Sequence, residues 1–525
     1  MRIGLYCRDL VSLGGGNKHS LAIVEHLSRK HDVDIITHTP YGASQIPKRL
    51  NFELDHVYLR SIPYQSDAEM GKLSGEYDLF INHLHNIFVP CQARYGILFV
   101  LFPVQLNLDL RGKIRRFVAR QLVKHLFVFD FQSGFYGEEY RNQQRIRLLS
   151  DSAQIRLKPS FWGYTVQFTL RNPSALPCKL TISLDQQIIH EISLPGGATS
   201  QPCSVPVPAR RSWHAHPFTL TIDGAPGPDR VLVDDAARHG SNQVELGAFQ
   251  VSHPTFRIYE QIFEQWIPQW RDRLLNVPTD QALDRVKTYD LIWANSEYTR
   301  RWINAYWQQD STVLYPLIHV EEFQPLPKKR QILSVGRFFV GGHNKKHLLM
   351  IEAFKSLCDQ GITGWALHLA GGVVDDPIHL EYLTAVKSAT QGYPIFVHEN
   401  IPFADLKVLY GESSIYWHAA GFGEDEALNP VRFEHFGMTT VEAMAAGGVP
   451  VVIGKGGQPE IIQHGDNGFL WQTVGELQEY TKRLVEDDAL RQKMAQAAAI
   501  SSRTFDRKHF EDRVDETLKM LGIPG

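Results

Sequence analysis

Two glutamates eight positions apart, Glu434 and Glu442, bracket a segment whose residue types suit a phosphorylated sugar. Between them run His435-Phe436-Gly437-Met438-Thr439-Thr440-Val441, and Ala443-Met444-Ala445-Ala446-Gly447 follows. A glycine at 437 lets the backbone approach a ligand closely. The residues after it pattern as a helix, whose first amides would point at the ligand and favour phosphate. Glu434 stands before that helix and can accept hydrogen bonds from sugar hydroxyls. Glu442 stands inside it and can accept from a pair of ribose hydroxyls. The same residues also admit a plainer reading, in which one carboxylate stabilises a helix dipole and the other is an ordinary exposed helical glutamate.

A second set lies upstream. The strand Gln331-Ile332-Leu333-Ser334-Val335 ends at Gly336-Arg337, and Lys345 and Lys346 follow some nine residues later. A departing diphosphate needs cations close to its developing negative charge. An arginine at the carboxyl end of a strand and a lysine at the start of the next helix supply them, because ligands of open α/β sheets bind at that end. Two solvated surface cations are the competing reading.

The elements that must position these groups divide the chain into parts. A length of 525 residues predicts two or three domains. The 43% hydrophobic and 21% charged content fits a globular protein, and a net charge of -3 gives no global argument for nucleic-acid binding. No apolar run is long enough to span a bilayer, and the N-terminus reads as a first strand, not a signal peptide. The five cysteines show no CxxC spacing, which suggests a reducing cytoplasm, free thiols and no zinc site.

Residues 1–130 alternate short apolar runs with helical patterns, as in Arg2–Cys7, Gly14-Gly15-Gly16, Leu21–Leu27 and Val33–Thr37. Strand, glycine loop, helix and strand make a βαβ unit with a parallel sheet. Over 131–252 the texture turns to period-two strands separated by Pro, Gly, Ser and Asn, which argues a small all-β sandwich. The α/β texture returns over 253–325, so the sandwich reads as inserted into the first domain. Residues 326–505 form a second α/β domain, and 506–525 a charged amphipathic helix.

These motifs together resemble the family 4 glycosyltransferases. The family's glutamate, seven residues, glutamate signature, with Phe-Gly after the first acid, stands here as Glu434 to Glu442. Gly336-Arg337 and Lys345 resemble its phosphate-binding pair, with Lys345 preferred over Lys346 for its spacing to Ile351-Glu352-Ala353-Phe354. Leu369-Ala370-Gly371-Gly372, Gly447–Val452 and Gly465–Leu470 resemble its remaining strand ends and turns. The likeness covers nearly all of 330–475.

The resemblance implies the GT-B fold, with two facing Rossmann-like domains, the second binding a nucleotide sugar. The final helix would cross back to the first domain. It also implies a retaining hexosyltransferase without a metal or other cofactor, its donor a nucleotide-diphosphate sugar. Arg337, Lys345, Glu434 and His85 would be its catalytic residues. Gly15, Gly16, Phe436, Gly437, Met438, Thr439 and Glu442 would bind the donor. Gly15-Gly16-Asn17 resembles the family's glycine loop, and Asp78–His85 its strand ending in histidine. A structural imidazole is the plainer reading of His83 or His85. One departure is Leu101, where several relatives carry histidine before an aromatic-proline pair. Another is the long loop Gly421–Pro430, whose acidic residues read best as solvating.

Gly134-Phe135-Tyr136-Gly137-Glu138-Glu139 resembles the opening of β-sandwich modules found beside bacterial polysaccharide glycosyltransferases. This suggests a surface-polysaccharide context, with an immunoglobulin-like module that binds glycan or protein, or that packs as a spacer. Residues 111–124 interleave basic and apolar side chains and could hold the chain on anionic lipid at the inner face of the membrane. The acceptor would be a glycan or a lipid-linked glycan, with no role for nucleic acid. A sugar epimerase or phosphorylase on the same fold, or a non-catalytic glycan-binding protein, are the alternatives.

Overall fold

The computed structural model describes residues 1–8, 10, 15–39, 52–83, 88–106, 112–114, 116–119, 121, 127–141, 144–197, 200–209, 214–223, 230–236, 243–262, 281–342, 344–373 and 376–523. The chain forms two compact units, residues 1–99 with 104–291, and residues 100–103 with 292–525.

The first unit opens with β1 (Arg2–Tyr6), α1 (Gly15–Ser28), β2 (Asp32–Thr37) and β3 (Val57–Ser61). Next come α2 (Asp67–Ser74), β4 (Leu79–Asn82) and β5 (Tyr95–Val100). The five strands are parallel in the order β3-β2-β1-β4-β5. Their near-continuous burial is what helices on both faces of a parallel sheet demand.

Antiparallel strands follow: β6 (Phe129–Arg141), β7 (Gln144–Leu157), β8 (Tyr164–Arg171) and β9 (Cys178–Leu184). Then come β10 (Gln187–Leu194), β11 (Gln201–Val207), β12 (His216–Asp223), β13 (Val231–Leu232) and β14 (Glu245–Val251). All but β13 share one hydrogen-bonded path, β10-β9-β12-β7-β14-β8-β11, with β6 on β7. A sandwich of two separate sheets was the expectation from the strand spacing. The single path arises because β7 is long: its first half pairs with β14 and its second half with β12. Tyr164, Val166, Phe168 and Leu170 point alternately into an apolar core with Phe218, Leu220 and Ile182.

The module is tied back to the parallel sheet. β13 pairs antiparallel with β3, Val231 opposite Leu59 and Leu232 opposite Tyr58. Arg230 donates to Asp34 Oδ1 at 2.6 Å and to Asp32 Oδ1 at 2.5 Å, and its guanidinium lies 3.6 Å from the centre of the Tyr58 ring. Gly137 N donates to His38 O, and Tyr64 N to Phe135 O.

The second unit carries β15 (Leu291–Ala294), α3 (Glu297–Trp307), β16 (Thr312–Val313), β17 (Lys329–Val335), α4 (His347–Asp359) and β18 (Ala366–Gly371). It continues with α5 (Pro377–Ala389), β19 (Ile395–Glu399), α6 (Phe403–Glu412), β20 (Ser413–His418), α7 (Met438–Ala445) and β21 (Val449–Ile453). It closes with α8 (Gln458–Ile461), β22 (Phe469–Trp471), α9 (Val474–Glu486), α10 (Asp488–Ser502) and α11 (Arg507–Met520). Six parallel strands run β19-β18-β17-β20-β21-β22. The chain winds outward from β17 through β18 to β19, then returns to β20 and winds the other way. β17 and β20 therefore flank the switch point, where a crevice opens beyond their carboxyl ends. The final helix α11 packs on the segment that precedes the sheet: the buried Trp293 donates Nε1–H to Thr517 Oγ1 at 3.4 Å, and Arg513 donates to Val313 O.

Candidate functional site

The switch point brings the sequence-predicted charges together. β17 delivers Gly336 and Arg337, and β20 ends in His418. Lys345 precedes α4 and runs directly beneath Gly336, where an added Cβ would lie 2.5 Å from Lys345 Cγ. Only glycine leaves that path open. Lys345 Nζ lies 2.5 Å from Glu434 Oε2, and His418 Nε2 lies 3.0 Å from the same oxygen. Burial would raise the Glu434 carboxyl, but the Lys345 charge and the His418 hydrogen bond outweigh it and hold the group well below the usual carboxylate range. His418 is itself lowered by burial, with Glu434 opposing that shift.

Arg337 differs from Lys345. It is exposed, its guanidinium lies 5.6 Å from the Phe339 ring centre, and among the described residues no carboxylate pairs with it. An unpaired cation at the carboxyl end of a central strand is placed to receive an anion.

Helix α7 starts at Gly437, whose φ of 119° lies in the left-handed region. A Cβ there would meet Gln458 Nε2 at 2.7 Å, so both the dihedral and the contact require glycine. Thr440 N and Val441 N make the first bonds of the helix, both to Gly437 O. The amides of Gly437, Met438 and Thr439 thus belong to the open end that favours phosphate. The turn at Gly456-Gly457 braces this segment from behind, with Gly457 N donating to Glu434 O at 2.8 Å.

The remaining predicted residues take different places. Glu442 is nearly buried and accepts from Tyr410 Oη at 2.8 Å. Thr439 Oγ1 accepts from Tyr416 Oη at 2.7 Å. Phe436 is buried against Tyr315 and Phe505, which leaves only its backbone to face a donor. Gly15 and Gly16 open α1. His85 lies outside the described residues. Its neighbour His83 is buried, bonds Ser20 Oγ through Nδ1 at 2.6 Å and stacks on Phe99, as a structural imidazole does.

Of the basic stretch 111–124, residues 111, 115, 120 and 122–124 lie outside the described residues. Within the rest, Ile114, Phe117 and Val118 are exposed, whereas Arg116 is buried. Among the described residues, no helix is long and apolar enough to cross a membrane.

Three features were not expected from the sequence. His418 ends a central strand, and its position in Ile415-Tyr416-Trp417-His418 was a usable signal because such ends face the ligand crevice. Tyr410 gave none, since α6 carries it beside a second aromatic, Phe403, with no motif around either. Glu424, read as solvating its loop, instead pairs with Lys346 at 3.0 Å and Arg432 at 2.8 Å. Burial opposes ionisation of Glu424, but those two cations keep it below its ordinary value. Lys346 itself caps α4 with a left-handed backbone, φ 60°.

Comparison with known proteins bears on this geometry. Residues 319–500 match the family model for glycosyl transferases group 1. The chain is 26% identical over 255 residues to the GDP-Man:Man(3)GlcNAc(2)-PP-Dol alpha-1,2-mannosyltransferase of Dictyostelium discoideum, covering 44% of this chain and 47% of that protein. It is 27% identical to the Homo sapiens protein of that name, covering 42% and 46%. The chain thus matches less than half the length of either relative. Among solved structures, Anabaena HepE in complex with UDP and glucose aligns over 99% of this chain and 100% of its own, at TM-score 0.51 and 13% identity. Sucrose-phosphate synthase from Thermosynechococcus elongatus aligns over 99% of each, at TM-score 0.50 and 12% identity. These likenesses show the fold, an α/β GT-B-like one. The segment matched by the family model includes Glu434 and Glu442.

Proposed function

We propose that this chain is a retaining, metal-independent hexosyltransferase of the family 4 type. It moves a hexosyl unit from a nucleotide-diphosphate sugar to a hydroxyl of a glycan or lipid-linked glycan. The observation that carries the reading is the convergence at one switch point of the Lys345–Glu434–His418 cluster, Arg337 with no carboxylate partner among the described residues, and the open end of α7. The names of the similar proteins fit it: one group is named for GDP-mannose and a dolichol-linked glycan, and one structure holds UDP and glucose.

In this reading Arg337, Lys345 and the α7 amides stabilise the leaving diphosphate, supplying the positive charge a metal would otherwise bring. The bond from the anomeric carbon to the diphosphate oxygen breaks on the face where the acceptor oxygen bonds. The departing diphosphate takes the acceptor proton, so no protein nucleophile is required. Glu434 orients the sugar and Glu442 accepts from the ribose. Gly15, Gly16 and His85 are assigned donor and sugar contacts on the family resemblance alone. The β module is proposed as an inserted unit serving surface-polysaccharide synthesis. Residues 111–124 are proposed to rest on anionic lipid at the cytoplasmic face of the membrane, and the exposed Ile114, Phe117 and Val118 support that.

A thermal-shift panel of GDP-, UDP- and ADP-sugars tests the reading. A bound donor raises the unfolding midpoint by mass action. Stabilisation by one nucleobase class, lost in Arg337→Ala, is the expected result. No stabilisation by any of the three would refute donor binding.

A further inference from the structure

We propose that Tyr410 is a positioning residue for nucleoside recognition, its phenol holding the Glu442 carboxylate in the orientation that receives the ribose hydroxyls. This rests on the reading that Glu442 binds ribose.

Tyr410 belongs to α6 and is 1% exposed. Its ring is held on two sides, by Phe323 edge-on at 5.3 Å and by Tyr416 stacked at 6.3 Å between centroids. The hydroxyl therefore has little freedom, and it donates to Glu442 Oε2 at 2.8 Å. A glutamate side chain has three torsions, and the last is broad unless a partner fixes it. The phenol is such a partner. Burial, with the Glu442 charge beside it, pushes the Tyr410 hydroxyl well above its ordinary range, so it remains a donor at every working pH. The bond also crosses elements: α6 follows β19, and α7 follows β20 on the opposite side of the switch point. The bond thereby ties α6 to α7, which pack against each other. The phenol's use of this carboxylate is what points to positioning.

The experiment compares each ribonucleotide with its 2′,3′-dideoxy counterpart. GDP, UDP and ADP and their dideoxy forms are titrated into the intact chain and into Tyr410→Phe and Glu442→Gln, with far-UV circular dichroism confirming the fold. Wild type should bind one ribonucleotide more tightly than its dideoxy form. Tyr410→Phe keeps the ring and loses only the hydroxyl. It should weaken the ribonucleotide by about tenfold, the equivalent of one hydrogen bond, and leave the dideoxy form within about twofold. Equal loss for both nucleotides would mark Tyr410 as structural packing only, and no loss for either would overturn positioning. Discrimination that is absent in wild type, or that survives in Glu442→Gln, would instead refute the ribose reading itself. Tyr410→Phe alone cannot produce either of those results.

Discussion

Lys345 and Glu434 are joined at 2.5 Å, so the lysine assigned to the leaving diphosphate is neutralised by a carboxylate until an anion arrives. Arg337 has no such partner among the described residues, and under the proposed function it would make the first contact. Glu434 holds Lys345, and under the proposed function it also orients the sugar. Glu434→Gln keeps the shape and removes the charge. It should lower kcat by about 10²- to 10³-fold, the scale for losing one electrostatic contact in a transition state, while the donor KM changes much less. Steady-state kinetics with the donor found by thermal shift would check this, and an unchanged kcat would remove Glu434 from the reaction.

Gly437→Ala should damage both stability and binding. The new Cβ would meet the buried Gln458 amide at 2.7 Å while the backbone stays at φ 119°. Strain of this kind costs on the order of 1–3 kcal/mol. Thermal unfolding would show a lower midpoint. Nucleotide titration would show weaker binding, because the α7 amides start at this residue. A variant with wild-type stability and affinity would mean that the α7 end is not the phosphate cradle.

The acid side of the stability curve carries a histidine signature. Burial, with Lys345 and His418 charges nearby, lowers His347 to about 4, against 6.5 for an unburied imidazole. Between those values the unfolded chain binds a proton that the folded chain does not. Stability contributed by the neutral ring is therefore full above about pH 6.5 and is lost as pH falls toward 4. The shift corresponds to roughly 3 kcal/mol from this residue. His347→Phe, which can keep the stack on Phe338, should flatten the dependence between pH 6.5 and 4. Denaturant unfolding at several pH values would show it, and an unaltered slope would contradict it.

Arg230→Ala tests how the β module is held. Arg230 bridges Asp32 and Asp34 across the edge where β13 meets β3, and Asp34 is fully buried. Its removal should destabilise the first unit by about 1–3 kcal/mol, since a buried carboxylate loses a charged donor. Limited proteolysis should then cut more readily at β13, Val231–Leu232. Unchanged stability and proteolysis would show that β13 pairing alone suffices.

Much of the second unit was legible from sequence, because the features that reveal it are local. Gly336-Arg337 closes a strand, Gly437 opens a helix, and Glu434 and Glu442 lie on either side of that opening. Each follows from dihedral freedom, strand ends or helix ends. What stayed hidden is tertiary. Lys345 pairs with a residue 89 positions away and Glu442 bonds one 32 positions away, and no local pattern encodes those pairings. Glu424 looked like loop solvation because its cations, Lys346 and Arg432, are supplied by folding. Period-two alternation marked the β texture of residues 131–252. The common sheet of those strands depends on β7 changing partner halfway along, which alternation within a strand does not show.

The most direct measurement is transfer itself. Wild type and Arg337→Ala are assayed with the stabilising donor and with glycan and lipid-linked acceptors, following both nucleotide release and the anomeric configuration of the product. The account predicts acceptor-dependent release with the donor configuration retained, and a loss of about 10²-fold or more in kcat for Arg337→Ala, close to 3 kcal/mol of transition-state stabilisation. Full activity in Arg337→Ala with that donor would contradict it.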